Sequence, residues 1–270
     1  PYTTLFRSIL EHYLAKVAHE DGINVNEIAR LASGCSGAEL RNIVNEAALA
    51  ALRQGRDKVS QTDLAESIDV ISVGYLKKND IMSEHEKWVT CYHEIGHALA
   101  AALQTNSAPV QKITILPRTS GVLGFAQQLE TSEPVMYTRT QLENRIVTIC
   151  GGRAAEEVHF HEVTTGASND IEKATGMARS MIARYGMTEE FDMVCLERSS
   201  GGYLGGGTHQ QCSEATARAV DEKVIELVRA QHKKAYDLLK ANEDKLDELA
   251  RFLFEQETIT GTEFMEILNR

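Results

Sequence analysis

The chain has 270 residues, 43% of them hydrophobic and 25% charged, enough for two domains each with its own apolar core. A net charge of −11, few aromatics and no basic stripe exclude nucleic acid or an anionic membrane surface as the main partner. Five scattered cysteines (Cys35, Cys91, Cys150, Cys195, Cys212) without a C-x-x-C pair exclude a disulfide framework and a cysteine-rich zinc site, and no apolar run reaches the roughly eighteen residues of a membrane span.

Residues 1–8, PYTTLFRS, read like a translated sequencing adapter and are expected to be a non-native leader, with the natural protein beginning further upstream. Residues 9–75 then read as one small helical domain. Asn24 with Glu27, Ser36 with Glu39 and Ser60 with Asp63 have the spacing of helix-starting capping pairs. Leu40, Ile43, Val44, Ala47 and Ala48 fall on one apolar face at helical spacing. Four helices are predicted, none carrying catalytic residues.

The run Gly34-Cys35-Ser36-Gly37-Ala38-Glu39-Leu40, followed by Asn45-Glu46-Ala47-Ala48-Leu49, resembles the C-terminal lid subdomain of AAA ATPases. That resemblance implies that Gly37 and Ala38 approach the adenine of ATP. The sequence contains no G-x-x-x-x-G-K-[ST] phosphate loop, so these residues alone are not expected to hydrolyse ATP. The polar stretch VGYLKKND at 73–80 reads as a connection, with the linker at 76–82 and a second domain over 83–270.

Ser83 with Glu86 opens a helix predicted to run to about Leu103 and to stop at Thr105-Asn106-Ser107-Ala108-Pro109. Inside it stands His93-Glu94-Ile95-Gly96-His97. Residues four apart share a helix face, so His93 and His97 can aim at one point and hold zinc. Glu94 would take a proton from a zinc-bound water, which is the chemistry of a metallopeptidase. Gly96 costs about 1 kcal/mol against alanine in a helix, so a close approach to the metal or to a neighbouring helix is expected there.

Val110 to Leu116 alternates with strand period, Pro117 to Gly121 turns, and Val122 to Leu129 returns, which predicts a β-hairpin. An exposed hairpin edge can bind an extended peptide through its backbone, and an ordinary structural hairpin reads the same way. Thr140 with Glu143 is expected to cap a helix running through Gly151-Gly152 to Val158, and Asp170 falls in the first turn of the next helix, to about Tyr185. Ser199 to Gly207 lacks the Lys-Ser/Thr of a phosphate loop and reads as flexible connection. Long amphipathic helices follow from Ser213 to about Ala241 and from Asn242, and Thr260 with Glu263 caps the last.

A catalytic zinc takes three protein ligands and a water. Glu156, Glu157, His159, His161 and Asp170 are all candidates for the third ligand, and spacing does not choose among them.

HEIGHALAA, KITILPR, ICGGRAAEE, VTTGASNDIEKAT, MARSMIARYGM, DEKVIELV, DKLDELARFLFEQET and TGTEFMEIL occur in this order. Together they resemble the peptidase domain of the FtsH family of ATP-dependent zinc proteases, and with the lid the likeness covers about residues 9–270. It implies Asp170 as third ligand beside His93 and His97, with Glu157 and Glu156 structural. One departure is Ile95, where the family has alanine.

The expected fold is mainly α: a four-helix AAA lid, then a mostly helical zinc-peptidase domain with a short hairpin. The expected activity is ATP-dependent, processive cleavage of unfolded or membrane proteins by zinc-activated water. The resemblance further implies Zn2+ and ATP as cofactors, a homohexamer, and anchorage in a membrane (a bacterial inner membrane) through N-terminal segments absent from this sequence, with this part on the cytoplasmic side and itself soluble. An ATP-independent zinc peptidase and an idle assembly or chaperone subunit are the competing readings. The lid-like domain argues against the first, and intact His93, Glu94 and His97 against the second.

Overall fold

A computed structural model describes residues 2–77, 82–105, 108–121, 123–128, 136–199 and 208–270. It is mainly α, with ten α-helices and a three-stranded antiparallel sheet among the described residues. Two compact units are present: residues 1–81 with 116–123, and residues 82–115 with 124–270.

The first unit holds α1 (Tyr2–Leu14), α2 (Val25–Leu31), α3 (Gly37–Arg53) and α4 (Gln61–Val73). Leu10, Ile28, Leu40, Ile43, Val44 and Leu64 form its core. The stretch expected to be a leader is helical from Tyr2, and Phe6 packs at the edge of this core. Ser36 and Ser60 each accept from the third helical amide while Glu39 and Asp63 reach back, so both capping boxes are complete. Asn24 caps α2 through the Glu27 amide.

Residues 116–121 fold against this same unit. Backbone amides of Lys77 and Thr119 donate to Pro117 and Tyr75 carbonyls. Arg118 is buried and pairs with buried Asp69 at 3.3 Å. Within the expected linker Lys77 is therefore bonded to Pro117, and residues 78–81 lie outside the described residues.

The second unit is built on α5 (Glu84–Ala102), capped by Ser83 and Glu86 as the sequence predicts. It crosses α6 (Arg139–Phe160) where Gly96 meets Gly151 backbone to backbone. A Cβ at Gly96 would lie 2.6 Å from that of Ala155, so the glycine permits the helix crossing. Thr138, with Gln141, caps α6, two residues ahead of the expected Thr140 with Glu143. Both pairs have capping spacing, but Glu143 is bonded to Arg139 at 2.7 Å.

β1 (Val110–Thr114) pairs antiparallel with β2 (Phe125–Gln128), the expected hairpin, in the register Ile113 to Ala126. Val122 and Leu129, its expected outer positions, lie outside the described residues. The other edge of β1 takes β5 (Thr258–Thr260), which the sequence reading missed because three residues show no usable alternation. β1 is thus the middle strand. A second, two-stranded pair, β3 (Glu197–Ser199) with β4 (Thr208–Gln210), flanks the glycine-rich run, whose residues 200–207 lie outside the described residues.

A 3-10 turn at Thr165–Ala167 leads into α7 (Ser168–Ala183). Then come α8 (Glu214–Lys240), α9 (Glu243–Gln256) and α10 (Gly261–Leu268). The apolar residues Val220, Val224, Leu246, Leu249 and Leu253 of α8 and α9 are buried within this unit's core. Trp88 of α5 stacks on Phe254 of α9 at 4.0 Å.

Candidate metal centre and active site

α5 brings His93 and His97 to one face, as four-residue spacing requires. Their Nε2 atoms lie 3.1 Å apart, and Oδ2 of Asp170, in the first turn of α7, lies 3.2 and 3.3 Å from them. Among the described residues these three form a group able to hold one metal ion.

The remaining ring nitrogens are occupied. His93 Nδ1 lies 2.7 Å from Oε1 of Glu156, and His97 Nδ1 lies 2.8 Å from the Thr148 carbonyl, both on α6. With a proton on each Nδ1, each Nε2 keeps a lone pair directed at the shared point, the arrangement that orients metal-binding imidazoles. Glu156 Oε2 also accepts from the Thr164 amide at 2.8 Å. This fully buried carboxylate therefore ties His93 to the loop that delivers Asp170.

The centre is electrostatically suited to a cation. Burial opposes a charge on His93, but the Asp170 and Glu156 carboxylates outweigh it and raise its pKa to about 10. Asp170 is held far below the ordinary carboxylate range: burial works against this, and bonds from His93 and His97 prevail. Glu156 is lowered too: burial again works against this, and bonds from His93 and Thr164 prevail. The acidic surroundings that retain a proton on His93 equally favour a divalent ion there.

Glu94, one residue along α5, is buried, and burial raises its pKa against the opposing pull of His97 and His93. The backbone of Ala126 in β2 hydrogen-bonds its carboxylate. Gly124 lies alongside, where a Cβ would sit 3.0 Å from Glu94 Cγ.

Gly152 of α6 backs the centre. A Cβ there would lie 2.6 Å from His93 Cε1, His93 Nε2 and His97 Nε2, so only glycine leaves the ring edges free. No role was assigned to Gly152 from the sequence. The available signal was two adjacent glycines inside a helix, each costing about 1 kcal/mol against alanine.

The other candidates lie elsewhere. Glu157 pairs with Arg153 at 2.9 Å and lies 3.4 Å from His232. His159 stacks on Tyr92 and contacts Asp247, and His161 is an exposed helix end in the left-handed region. Burial raises the Cys150 and Cys91 thiols to about 11 and about 12, so neither offers a thiolate. Gly37 and Ala38 are exposed at the start of α3.

A cavity of about 380 Å³, lined largely by apolar side chains including Ile149, Ala174, Val224 and Val228, adjoins Asp170. Two imidazoles and a carboxylate around one point, with oriented rings and no side chain at Gly152, are the donor set and the room that zinc requires.

Comparison with known proteins bears on the same residues. Residues 22–66 match the AAA+ lid domain, and residues 80–267 match peptidase family M41. An ATP-dependent zinc metalloprotease FtsH of Lancefieldella parvula is 50% identical over 263 residues, covering 97% of this chain and 41% of that protein. One of Clostridium perfringens is 48% identical over 260 residues, covering 96% and 36%. FtsH 4 of Synechocystis is 36% identical over 266 residues, covering 97% and 42%. The chain thus spans about two fifths of the length of these relatives. The match over residues 80–267 takes in the entire His93, His97 and Asp170 centre and the helices that carry it, and the chain belongs to peptidase family M41.

Proposed function

We propose that this chain is the cutting part of an ATP-dependent zinc endopeptidase, with His93, His97 and Asp170 as metal ligands and Glu94 as general base. The observation that carries the reading is the convergence of three donors on one point beside a buried carboxylate. Bound zinc would lower the pKa of a coordinated water toward about 7 and polarise the scissile carbonyl.

The chain's own residues supply the rest. Glu94, its pKa raised by burial, takes the proton of the attacking water and delivers it to the departing amine. Glu156 and the Thr148 carbonyl keep the imidazoles in register. Among the described residues β2 is an edge strand, because β5 occupies the other side of β1, so an extended substrate pairs with β2 by its backbone and with little regard to sequence. The apolar cavity beside Asp170 receives a side chain flanking the cleaved bond.

The lid match and the relatives' names support dependence on ATP; processive feeding of unfolded or membrane proteins, a homohexamer, and membrane anchorage with this part in the cytoplasm follow from the family resemblance. No helix among the described residues is long and apolar enough to cross a membrane. Gly37 and Ala38 would face the adenine in that assembly.

The test is direct. The chain should bind one zinc and cleave an unfolded peptide, and Glu94→Gln should keep the zinc while slowing cleavage by roughly 10²- to 10⁴-fold. Wild-type rates in Glu94→Gln would overturn the assignment.

A further inference from the structure

A polar seam runs between α5 and α6 beside the metal centre. Asn144, Thr148, Gly152 and Glu156 recur at four-residue steps along α6 and so share one face. His93 and His97 of α5, and Gln104 just past its end, meet that face in the opposite order. His93 lies on Glu156, His97 on Thr148, and Gln104 on Thr148 and Asn144.

His97 meets α6 at a carbonyl that has another partner. In a regular helix the Thr148 carbonyl takes the amide four residues on, that of Gly152. Here the Gly152 amide nitrogen lies 3.3 Å from His97 Nδ1, and the ring donates to the same Thr148 carbonyl at 2.8 Å. The aim of His97 Nε2 at Asp170 therefore depends on how firmly this turn of α6 is held.

Gln104 holds it. Its Nε2 donates to the Ala100 carbonyl at 2.7 Å, to Thr148 Oγ1 at 3.2 Å and to the Asn144 carbonyl at 3.3 Å. Buried Asn144 in turn donates to the Thr105 carbonyl at 3.2 Å and accepts from Lys234 of α8 at 3.2 Å. The Gln104 amide cannot turn over, because its oxygen would then face the Ala100 and Asn144 carbonyls. Oε1 of Gln104 is buried with no hydrogen-bond partner among the described residues. An orphaned acceptor destabilises a fold, and methionine or leucine would fill the space without one. Packing alone gives no reason for glutamine at this position, whereas a donor gripping the turn beneath His97 does.

We propose that Gln104 is a positioning residue for the metal centre: it fixes the turn of α6 from Asn144 to Thr148 and, through the Thr148 carbonyl, the ring of His97. This rests on the reading of His97 as a metal ligand.

Gln104→Met removes the donor and the orphaned oxygen at nearly constant volume. In the whole chain it should weaken zinc about tenfold, the lower end of the range for groups that orient a ligand, as read by competition with a chelator. Cobalt(II) in place of zinc should show shifted d–d bands, while the far-ultraviolet dichroism of the loaded chain stays unchanged. Thr148→Val should act in the same direction, and Thr148→Ser, which keeps the hydroxyl, should recover most of the affinity. The double variant Gln104→Met with Thr148→Val should lose little more than either single one, because both break the same link. Wild-type affinity and an unshifted cobalt spectrum in both single variants overturn the proposal, as do losses that simply add. A variant that loses its helical dichroism would show the seam to be packing alone, which also overturns it. A wild-type chain that binds no zinc overturns the metal reading itself, before any variant is compared.

Discussion

His93 and His97 each spend one ring nitrogen on a fixed partner, and this decides which nitrogen faces Asp170. The pair and the adjacent Glu94 were legible in the sequence, because a four-residue step on a capped helix leaves their relative placement little freedom. Asp170 was not legible from spacing, since 72 residues of chain separate it from His97, and only the resemblance singled it out. The distances now bear on that choice: Asp170 lies within 3.3 Å of both Nε2 atoms, and Glu157 is engaged by Arg153. Asp170→Asn should lose zinc by about 100-fold or more in affinity, whereas Glu157→Gln should retain it, as read by competition with a chromogenic chelator. The opposite pattern would move the ligand to α6. Gly152→Ala should leave the far-ultraviolet dichroism intact yet weaken zinc by roughly 10- to 100-fold, because its methyl would press both imidazoles. Wild-type affinity in that variant would mean that the rings yield freely.

At the scale of elements, what could be read was whatever is local. The capping pairs at Ser36, Ser60, Ser83 and Thr260 all start helices where expected, since each pair acts within four residues. The start of α6 at Thr138 was missed because two overlapping pairs compete, and Arg139 engages Glu143. β5 was missed because its pairing to β1 joins residues more than 140 apart in sequence. The crossing of α5 on α6 was half visible: Gly96 signalled a close approach, but its partner Gly151 is a long-range fact. That crossing sets the distance between His93 and Glu156, so it couples packing to the metal centre. Gly96→Ala should cost about 1–3 kcal/mol in denaturant unfolding, by overpacking against Gly151 and Ala155, and should weaken zinc as well. A stability loss with unchanged zinc affinity would show that the centre does not depend on that spacing.

For the whole molecule, two units with separate cores imply two separable responses to acid and to chelation. In the first unit Arg56, aided by Ser60, holds Asp63 at about 2, below its ordinary 3.8. A depressed carboxylate stabilises the fold above its unfolded pKa and loses that contribution as pH falls through the folded value, here between about 4 and 2, and the shift corresponds to about 2 kcal/mol. The second unit is governed by its centre, where a bound ion requires both Nε2 atoms free of protons and is displaced by protons as pH falls. Zinc bound only to the folded state stabilises by RT ln(1 + [L]/Kd), about 4 kcal/mol at a thousand times Kd. Scanning calorimetry at pH 7 should therefore show the transition of the second unit falling by several degrees on chelation while that of the first stays in place. Lowering the pH from 7 to 4.5 should reproduce the chelator's effect on the second transition and leave the first almost unmoved, because Asp63 remains ionised. If both transitions shift together under chelation, the two cores unfold as one, and zinc then stabilises the helical unit as well as the unit that carries the site.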